Sequence, residues 1–126
     1  MAAEGVMVIY MSNLTELQFE HVKMVAKLIG YAYKRGYRLT WGDTYRDPRV
    51  FGMMGTTRGY GHPYSNHKLR LAVDFNLFKK VNGEWEYCRE TEAHKVLGKY
   101  WQKMGGAWGG SWGDGNHYSL EFNGRK

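Results

Sequence analysis

Two short polar clusters contain the residues whose types and spacing could do chemistry. In the first, Asp74 follows His67 by seven residues, and in the second, His117 follows Asp114 by three residues. Two imidazoles and one carboxylate are a standard catalytic zinc set, with the fourth position left for water. A structural interpretation also fits, in which Asp74 bonds to backbone and His117 packs among aromatic side chains.

The segments around these clusters indicate how the side chains would meet. Residues 71–78 alternate between apolar side chains and a row that contains Asp74, which predicts a strand with Asp74 on its polar face. Residues 117–122 alternate in the same way and place His117 on one face. If the two strands pair, His67, Asp74 and His117 converge from neighbouring backbone segments.

Two helices are expected on either side of the first cluster. Asn13 and Glu16 form a helix-start signal with a capping-box acid, and Gly36 is a fitting stop for this first helix. Thr91 is expected to cap a second helix, which Gly105 ends. Both segments carry apolar residues at helical spacing, so each should bury one stripe.

The remaining signals complete an α+β fold. Residues 37–40 predict a short strand, residues 81–84 a hairpin turn, and residues 50–54 a helical turn within a loop. We expect a small antiparallel sheet that carries the metal site and packs against two main helices. The whole chain, residues 1–126, is predicted to form a single domain.

His21, His94 and the single cysteine are predicted to play no part in the chemistry. His21 and His94 lie within the predicted helices, where a solvated or capping role is expected, and the role of His62 in its Gly-His-Pro loop stays open. Cys88 cannot form an internal disulfide. Its position in an edge strand or turn predicts a structural thiol.

Composition and charge limit the class of protein. Of the 126 residues, 43% are hydrophobic and 24% are charged, which argues against a disordered chain. The net charge of +6 favours an anionic partner, either nucleic acid or a bacterial wall. Residues 6–11 are apolar but too short for a signal peptide or a membrane span. We expect a monomer made in the cytoplasm without a signal peptide or membrane insertion.

The first cluster resembles the signature Ser-x-His-x-x-Gly-x-Ala-x-Asp of the zinc D-alanyl-D-alanine carboxypeptidase and L-alanyl-D-glutamate endopeptidase family, which includes phage endolysins. Ser65, His67, Ala72 and Asp74 match it, whereas Arg70 stands at the glycine position. If that glycine serves close backbone packing, the Arg70 side chain must exit to solvent.

The second cluster resembles the other motif of this family, an acid followed three residues later by the metal histidine. Asp114 and His117 match this motif, and Trp108-Gly109-Gly110 precedes it as a similar lead-in. The resemblance extends from about residue 37 to residue 122. It implies Zn²⁺ on His67, Asp74 and His117, with Asp114 as the general base that takes a proton from the attacking water.

The resemblance also implies an arginine that stabilises the substrate carbonyl and its developing oxyanion. Arg46 is the best match, and Arg49 and Arg58 are the alternatives. Ser65 is a candidate substrate-binding residue through its place in the signature.

Three tryptophans are divided between core and site. Trp101 lies on the apolar stripe of the second helix and is predicted to be core. Trp108 and Trp112 flank the glycine-rich loop, where they either line a substrate groove or anchor the loop. Trp112 is therefore a second candidate substrate-binding residue.

The implied substrate is a peptidoglycan stem peptide, reached after release of the enzyme to the cell wall, as in phage lysis. Asp rather than Glu at position 114 favours the L-Ala-D-Glu endopeptidase branch over D-Ala-D-Ala carboxypeptidases. A basic nucleic-acid-binding protein or nuclease is the alternative from another class, since ten tyrosines and five tryptophans could stack on bases. Its basic residues are scattered, however, and Asp74 and Asp114 would repel phosphate unless a metal intervened. A wall-binding module without catalysis is a third alternative, which the complete set of metal residues disfavours.

Overall fold

The first helix is much longer than its capping signal predicts. The computed structural model describes residues 2–56, 59 and 61–126, and side chains from residue 13 onward. Helix α1 spans Ala2–Lys34 and passes through Asn13 without interruption, so the predicted start at Asn13 is wrong. The residues before Asn13 include no proline to break the helix. No helix in the described part of the chain is long and apolar enough to cross a membrane.

The end of α1 follows the prediction. Gly36 has a φ of 91°, which is the left-handed conformation that glycine adopts most easily. The Tyr37 amide donates to the Ala32 carbonyl at 3.0 Å and the Gly36 amide to the Tyr33 carbonyl at 3.1 Å. These two bonds form a Schellman motif, which turns the chain into the first strand.

Within the described residues, five antiparallel strands form the sheet, and the second is its centre. The strands are β1 (Arg38–Trp41), β2 (Ala72–Val81), β3 (Glu84–Cys88), β4 (Ala107–Trp108) and β5 (His117–Ser119). Strand β2 pairs with β1, β3 and β5, and β4 pairs with the outer edge of β5. The β2–β3 hairpin turns at Asn82-Gly83, both with positive φ, as predicted for residues 81–84.

The core lies between one face of β2 and the helices. Leu71, Val73, Phe75 and Leu77 are all at most 3% exposed, which confirms the predicted alternation. Val73, Phe75 and Leu77 pack with α1 and with helix α3 (Lys95–Lys103), where Trp101 is fully buried as predicted. Burial of each large apolar side chain contributes about 1.5–3 kcal/mol. The result is an α+β fold with its sheet covered by helices on one side.

The second helix begins later than its sequence signal suggests. Thr91–His94 form a 3₁₀ turn that leads into α3, and Thr91 makes no side-chain cap on the α-helix. Gly105, with a φ of 97°, ends α3 as predicted. The short helix α2 spans Pro48–Phe51, overlapping the helical turn expected at residues 50–54.

His21 and His94 are buried, so the expected solvated or capping roles are wrong. They are 5% and 2% exposed and lie on two sides of Tyr118. His21 Nε2 is 3.1 Å from the Tyr118 carbonyl oxygen, and His94 Nδ1 is 2.9 Å from the Tyr118 hydroxyl. Both satisfy the polar groups of a tyrosine that the core encloses, which helical position alone does not reveal. Cys88 is also buried, and its free thiol donates to the Glu86 carbonyl at 3.6 Å.

Candidate active site

His67 is presented by a 3₁₀ turn, Asn66–Leu69, that enters β2. Ser65 begins this turn, and its hydroxyl oxygen accepts a hydrogen bond from the His67 amide at 3.2 Å. His67 Nδ1 lies 2.7 Å from the Thr44 carbonyl oxygen, to which it can only donate. This bond fixes the tautomer and leaves Nε2 as the nitrogen that can bind a metal, the arrangement seen in metal-ligating histidines.

Asp74 and His117 come from directly opposed positions of β2 and β5. Asp74 Oδ1 is 3.2 Å from His67 Nε2 and 3.3 Å from His117 Nδ1. One ligand atom from each of the three residues lies within 4.8 Å of the other two, so the group could hold a metal ion. The strand pairing therefore brings the three predicted ligands together.

The donor set fits Zn²⁺. Oxygen and nitrogen ligands about 2.0 Å from a tetrahedral zinc lie roughly 3.3 Å apart, which matches the two measured separations from Asp74 Oδ1. Asp74 Oδ1 is buried and accepts no hydrogen bond of good geometry, so a bound cation would compensate for its lost hydration. Burial would raise the pKa of Asp74, but the adjacent His117 and His67 outweigh it and lower that pKa to about 2. The ligand is therefore a carboxylate at neutral pH.

Arg70 shows why a glycine suits its position in the signature. Its φ of 58° and ψ of 33° are left-handed, so conformational freedom, rather than the close packing suggested above, favours glycine here. The side chain exits to the surface, and its guanidinium lies 3.9 Å from the centre of the Tyr45 ring. Arg70 thus leaves the ligand geometry unchanged.

Asp114 lies beside the cluster without joining it. Its Oδ2 is 3.8 Å from His117 Nδ1, and its side chain is 51% exposed. Partial burial raises the pKa of this carboxyl, and the charge of Asp74 raises it further, against the opposing effect of His117. A carboxylate with a raised pKa, close to the ligands and open to water, is suited to accept a proton.

Gly109 holds the Asp114 turn in place, a role that the sequence analysis missed. The Asp114 amide donates to the Gly109 carbonyl at 2.8 Å. A Cβ at position 109 would overlap the Asp114 carbonyl oxygen and approach His117 Cβ to 2.7 Å. The Trp108-Gly109-Gly110 lead-in is the only sequence signal for this contact.

Of the predicted oxyanion residues, Arg46 reaches the cleft beside the cluster. It is 6% exposed, and its guanidinium donates to Asp43 Oδ2 at 3.1 Å. Its amide also donates to the His67 carbonyl at 3.0 Å, so the two residues are fixed to each other. Arg49 is exposed and bound to Asp47, away from the cleft, and Arg58 lies outside the described residues.

The two loop tryptophans have different environments. Trp108 is 9% exposed, and its indole N–H donates to the Gly115 carbonyl at 2.7 Å, so it anchors the glycine-rich loop. Trp112 is 47% exposed, lines the cleft, and places its ring 5.6 Å from that of His117. Ser65 also lines the cleft, although its hydroxyl already accepts from the His67 amide.

The cleft over the cluster has a volume of about 520 Å³. One part of its wall is a loop that Lys68 secures: the buried ammonium donates to the carbonyls of Met53, Thr56 and Pro63 at 3.2, 2.7 and 3.1 Å. Besides the residues above, the cleft is lined by Gly61, His62, Tyr64, Gly124, Arg125 and Lys126, of which the sequence analysis singled out His62 alone, with its role left open.

Comparison with known families agrees with this geometry. The family model described as D-alanyl-D-alanine carboxypeptidase matches residues 58–120, which is half of the chain. The match includes His67, Asp74, Asp114 and His117. No curated protein sequence matches significantly. The resemblance seen in the sequence is confirmed, and the chain belongs to the D-alanyl-D-alanine carboxypeptidase family of peptidases.

Proposed function

We propose that this peptidase is zinc-dependent and cleaves the L-Ala–D-Glu bond of peptidoglycan stem peptides, as a phage-type endolysin. The observation that carries the proposal is the convergence of His67, Asp74 and His117 in a cleft that also contains Asp114 and Arg46. Hydrolysis of a peptide bond needs an activated water, a proton acceptor and a stabilised carbonyl oxygen. The three ligands, Asp114 and Arg46 are proposed to meet these needs in that order.

His67, Asp74 and His117 would hold the zinc ion, which when bound acts as a Lewis acid and makes water a better nucleophile near neutral pH. Asp114 accepts a proton from the water while the water oxygen adds to the scissile carbonyl carbon. The same carboxyl returns the proton to the leaving amine as the C–N bond breaks. Such acid–base help contributes about 10²–10⁴-fold in rate.

Arg46 is proposed to stabilise the carbonyl oxygen as it gains negative charge. Its guanidinium is held by Asp43 and its backbone by His67, so little reorganisation is needed when the charge develops. Trp112 and Ser65 are proposed to contact the peptide, because both line the cleft.

The cleft has room for a stem peptide, because its volume of about 520 Å³ falls in the range that takes a drug-sized ligand. Asp rather than Glu at position 114 favours the endopeptidase. A D-Ala-D-Ala carboxypeptidase is the second candidate, and the description of the matched family favours it.

The proposed site of action is the cell wall. A net charge of +6 favours approach to an anionic wall, and the scattered positions of the basic residues disfavour a nucleic-acid partner. We further propose that the chain acts as a monomer and folds as one domain. Production in the cytoplasm followed by release, as in phage lysis, would bring it to this substrate.

Mass spectrometry of digested stem pentapeptides tests the proposed bond. The endopeptidase produces a fragment with a new amino-terminal D-Glu and releases no D-Ala, whereas the carboxypeptidase releases free D-Ala. His117→Ala serves as the inactive control. Release of D-Ala alone would replace the endopeptidase with the second candidate, and an intact pentapeptide would contradict both.

A further inference from the structure

A tight turn after β5 brings a cationic side chain to the rim of the cleft. Phe122 and Arg125 exchange two backbone hydrogen bonds, of 2.9 and 3.0 Å. Asn123 and Gly124 between them have φ values of 49° and 76°, which close the turn in two residues. Arg125 lies beyond residues 58–120, so it is outside the part of the chain that matches the family.

A buried amide ties this turn to the metal-site segment. Asn66 is fully buried and adjacent to His67 in the chain. Its Nδ2 donates to the Arg125 carbonyl at 2.9 Å and to the Leu120 carbonyl at 2.8 Å. The position of the Arg125 backbone is therefore fixed relative to the ligand turn.

The Arg125 side chain is exposed and contacts two aromatic residues. Its guanidinium carbon lies 4.8 Å from the centre of the Tyr64 ring, and one terminal nitrogen is 3.5 Å from His62 Nδ1. The Tyr64 amide donates to the same His62 nitrogen at 3.0 Å, so both contacts meet at one acceptor. The planar guanidinium retains N–H groups for a carboxylate, its best-matched partner.

We propose that Arg125 is a specificity-determining residue that binds a free carboxylate of the stem peptide. The inference rests on the proposed function and names the substrate group that this site selects. Arg46, Arg125 and Lys126 line the cleft together with Asp74 and Asp114. Of these cations, Arg125 has its backbone tied to the ligand turn by Asn66, and its planar fork can orient a carboxylate at the rim.

Two carboxylates of the stem peptide have this chemistry. One is the α-carboxylate of D-Glu, which stays free because the chain continues through the γ-carboxyl group. The other is the carboxyl terminus of the peptide. Three synthetic peptides separate them: the unmodified peptide, one with a D-Glu α-carboxamide and one with a carboxyl-terminal carboxamide.

Steady-state kinetics of wild type, Arg125→Gln and Arg125→Lys on the three peptides test the inference. In wild type, amidation of the selected carboxylate should lower kcat/KM roughly 10- to 100-fold, as expected for a lost charge-assisted hydrogen bond. In Arg125→Gln that ratio should fall to about one, and Arg125→Lys should keep part of it. Lys99→Gln, an exposed charge change on α3, should retain the wild-type ratio.

An unchanged ratio in Arg125→Gln, or no preference in wild type, would overturn the inference. Calorimetric titration of each peptide into the zinc-loaded protein separates this failure from failure of the proposed function. If wild type cleaves no peptide but binds the carboxylate form at least tenfold more tightly, and Arg125→Gln does not, the subsite stands and the proposed function fails. Equal or absent binding overturns the subsite itself.

Discussion

The two faces of β5 hold two pairs of histidines with opposite properties. His117 points to the cleft, where it meets His67 at Asp74. Tyr118, the next residue, points into the core, where His21 and His94 contact its carbonyl and hydroxyl groups. All four histidines are at most 6% exposed, so burial does not distinguish them. Their partners do: a carboxylate lies between one pair and a neutral tyrosine between the other.

The electrostatics of the two faces differ accordingly. Burial lowers the pKa of His94 to about 4 and also lowers the pKa of His21, so both are neutral at physiological pH. On the cleft face, the pKa of Asp74 falls to about 2 and a negative charge remains. One face is therefore suited to a cation and the other to a closed, uncharged core.

Among changes that leave the metal bound, Asp114→Asn is expected to have the largest effect on activity. Asparagine keeps the size and the turn propensity of this residue but cannot accept a proton. We expect a loss of at least about a hundredfold in turnover on intact peptidoglycan, with zinc content and melting temperature unchanged. Near-normal turnover in this variant would show that Asp114 only shapes the turn before β5.

A smaller effect is expected from His94 on the core face, and it concerns how the free energy of unfolding depends on pH. The pKa of His94 is about 4 in the folded protein and 6.5 as the ordinary value, so the unfolded chain takes up its proton first. The contribution of neutral His94 to the free energy of unfolding is therefore complete above about pH 6.5 and is lost as the pH falls toward 4. Two and a half pKa units correspond to up to about 3 kcal/mol.

His94→Gln removes this titration and can still pair with the Tyr118 hydroxyl. Its free energy of unfolding from urea titrations should therefore fall less than that of wild type between pH 6.5 and pH 4. Equal slopes for His94→Gln and wild type would contradict a neutral, buried His94.

Sequence patterns predicted the structural features that depend only on residues close together in the chain. The alternation of Leu71–Leu77 predicted β2 and put Asp74 on the face opposite the core, because side chains in a strand change face at every residue. Asn82-Gly83 predicted the hairpin for a similar reason, since two consecutive positive φ values need such residues. The grouping of His67, Asp74 and His117 followed from pairing the strands of Asp74 and His117, with His67 in the turn that enters the first of them.

Features that depend on distant contacts were not predictable in this way. The burial of His21 arises from Tyr118, which is 97 residues away, and that of His94 from the same residue. Arg125 reaches the cleft through Asn66, 59 residues earlier, and no motif marks either residue. The helix start predicted at Asn13 was wrong because asparagine, although favoured at helix starts, also occurs inside helices.

Zinc content after loading and extensive dialysis tests the central claim most directly, because it compares the two faces of β5 without reference to any substrate. Wild type and His94→Gln should each retain about one zinc ion per chain, and His117→Ala should retain far less, since a three-residue site rarely survives the loss of one ligand. Full occupancy in His117→Ala, or none in wild type, would contradict a metal centre formed by His67, Asp74 and His117.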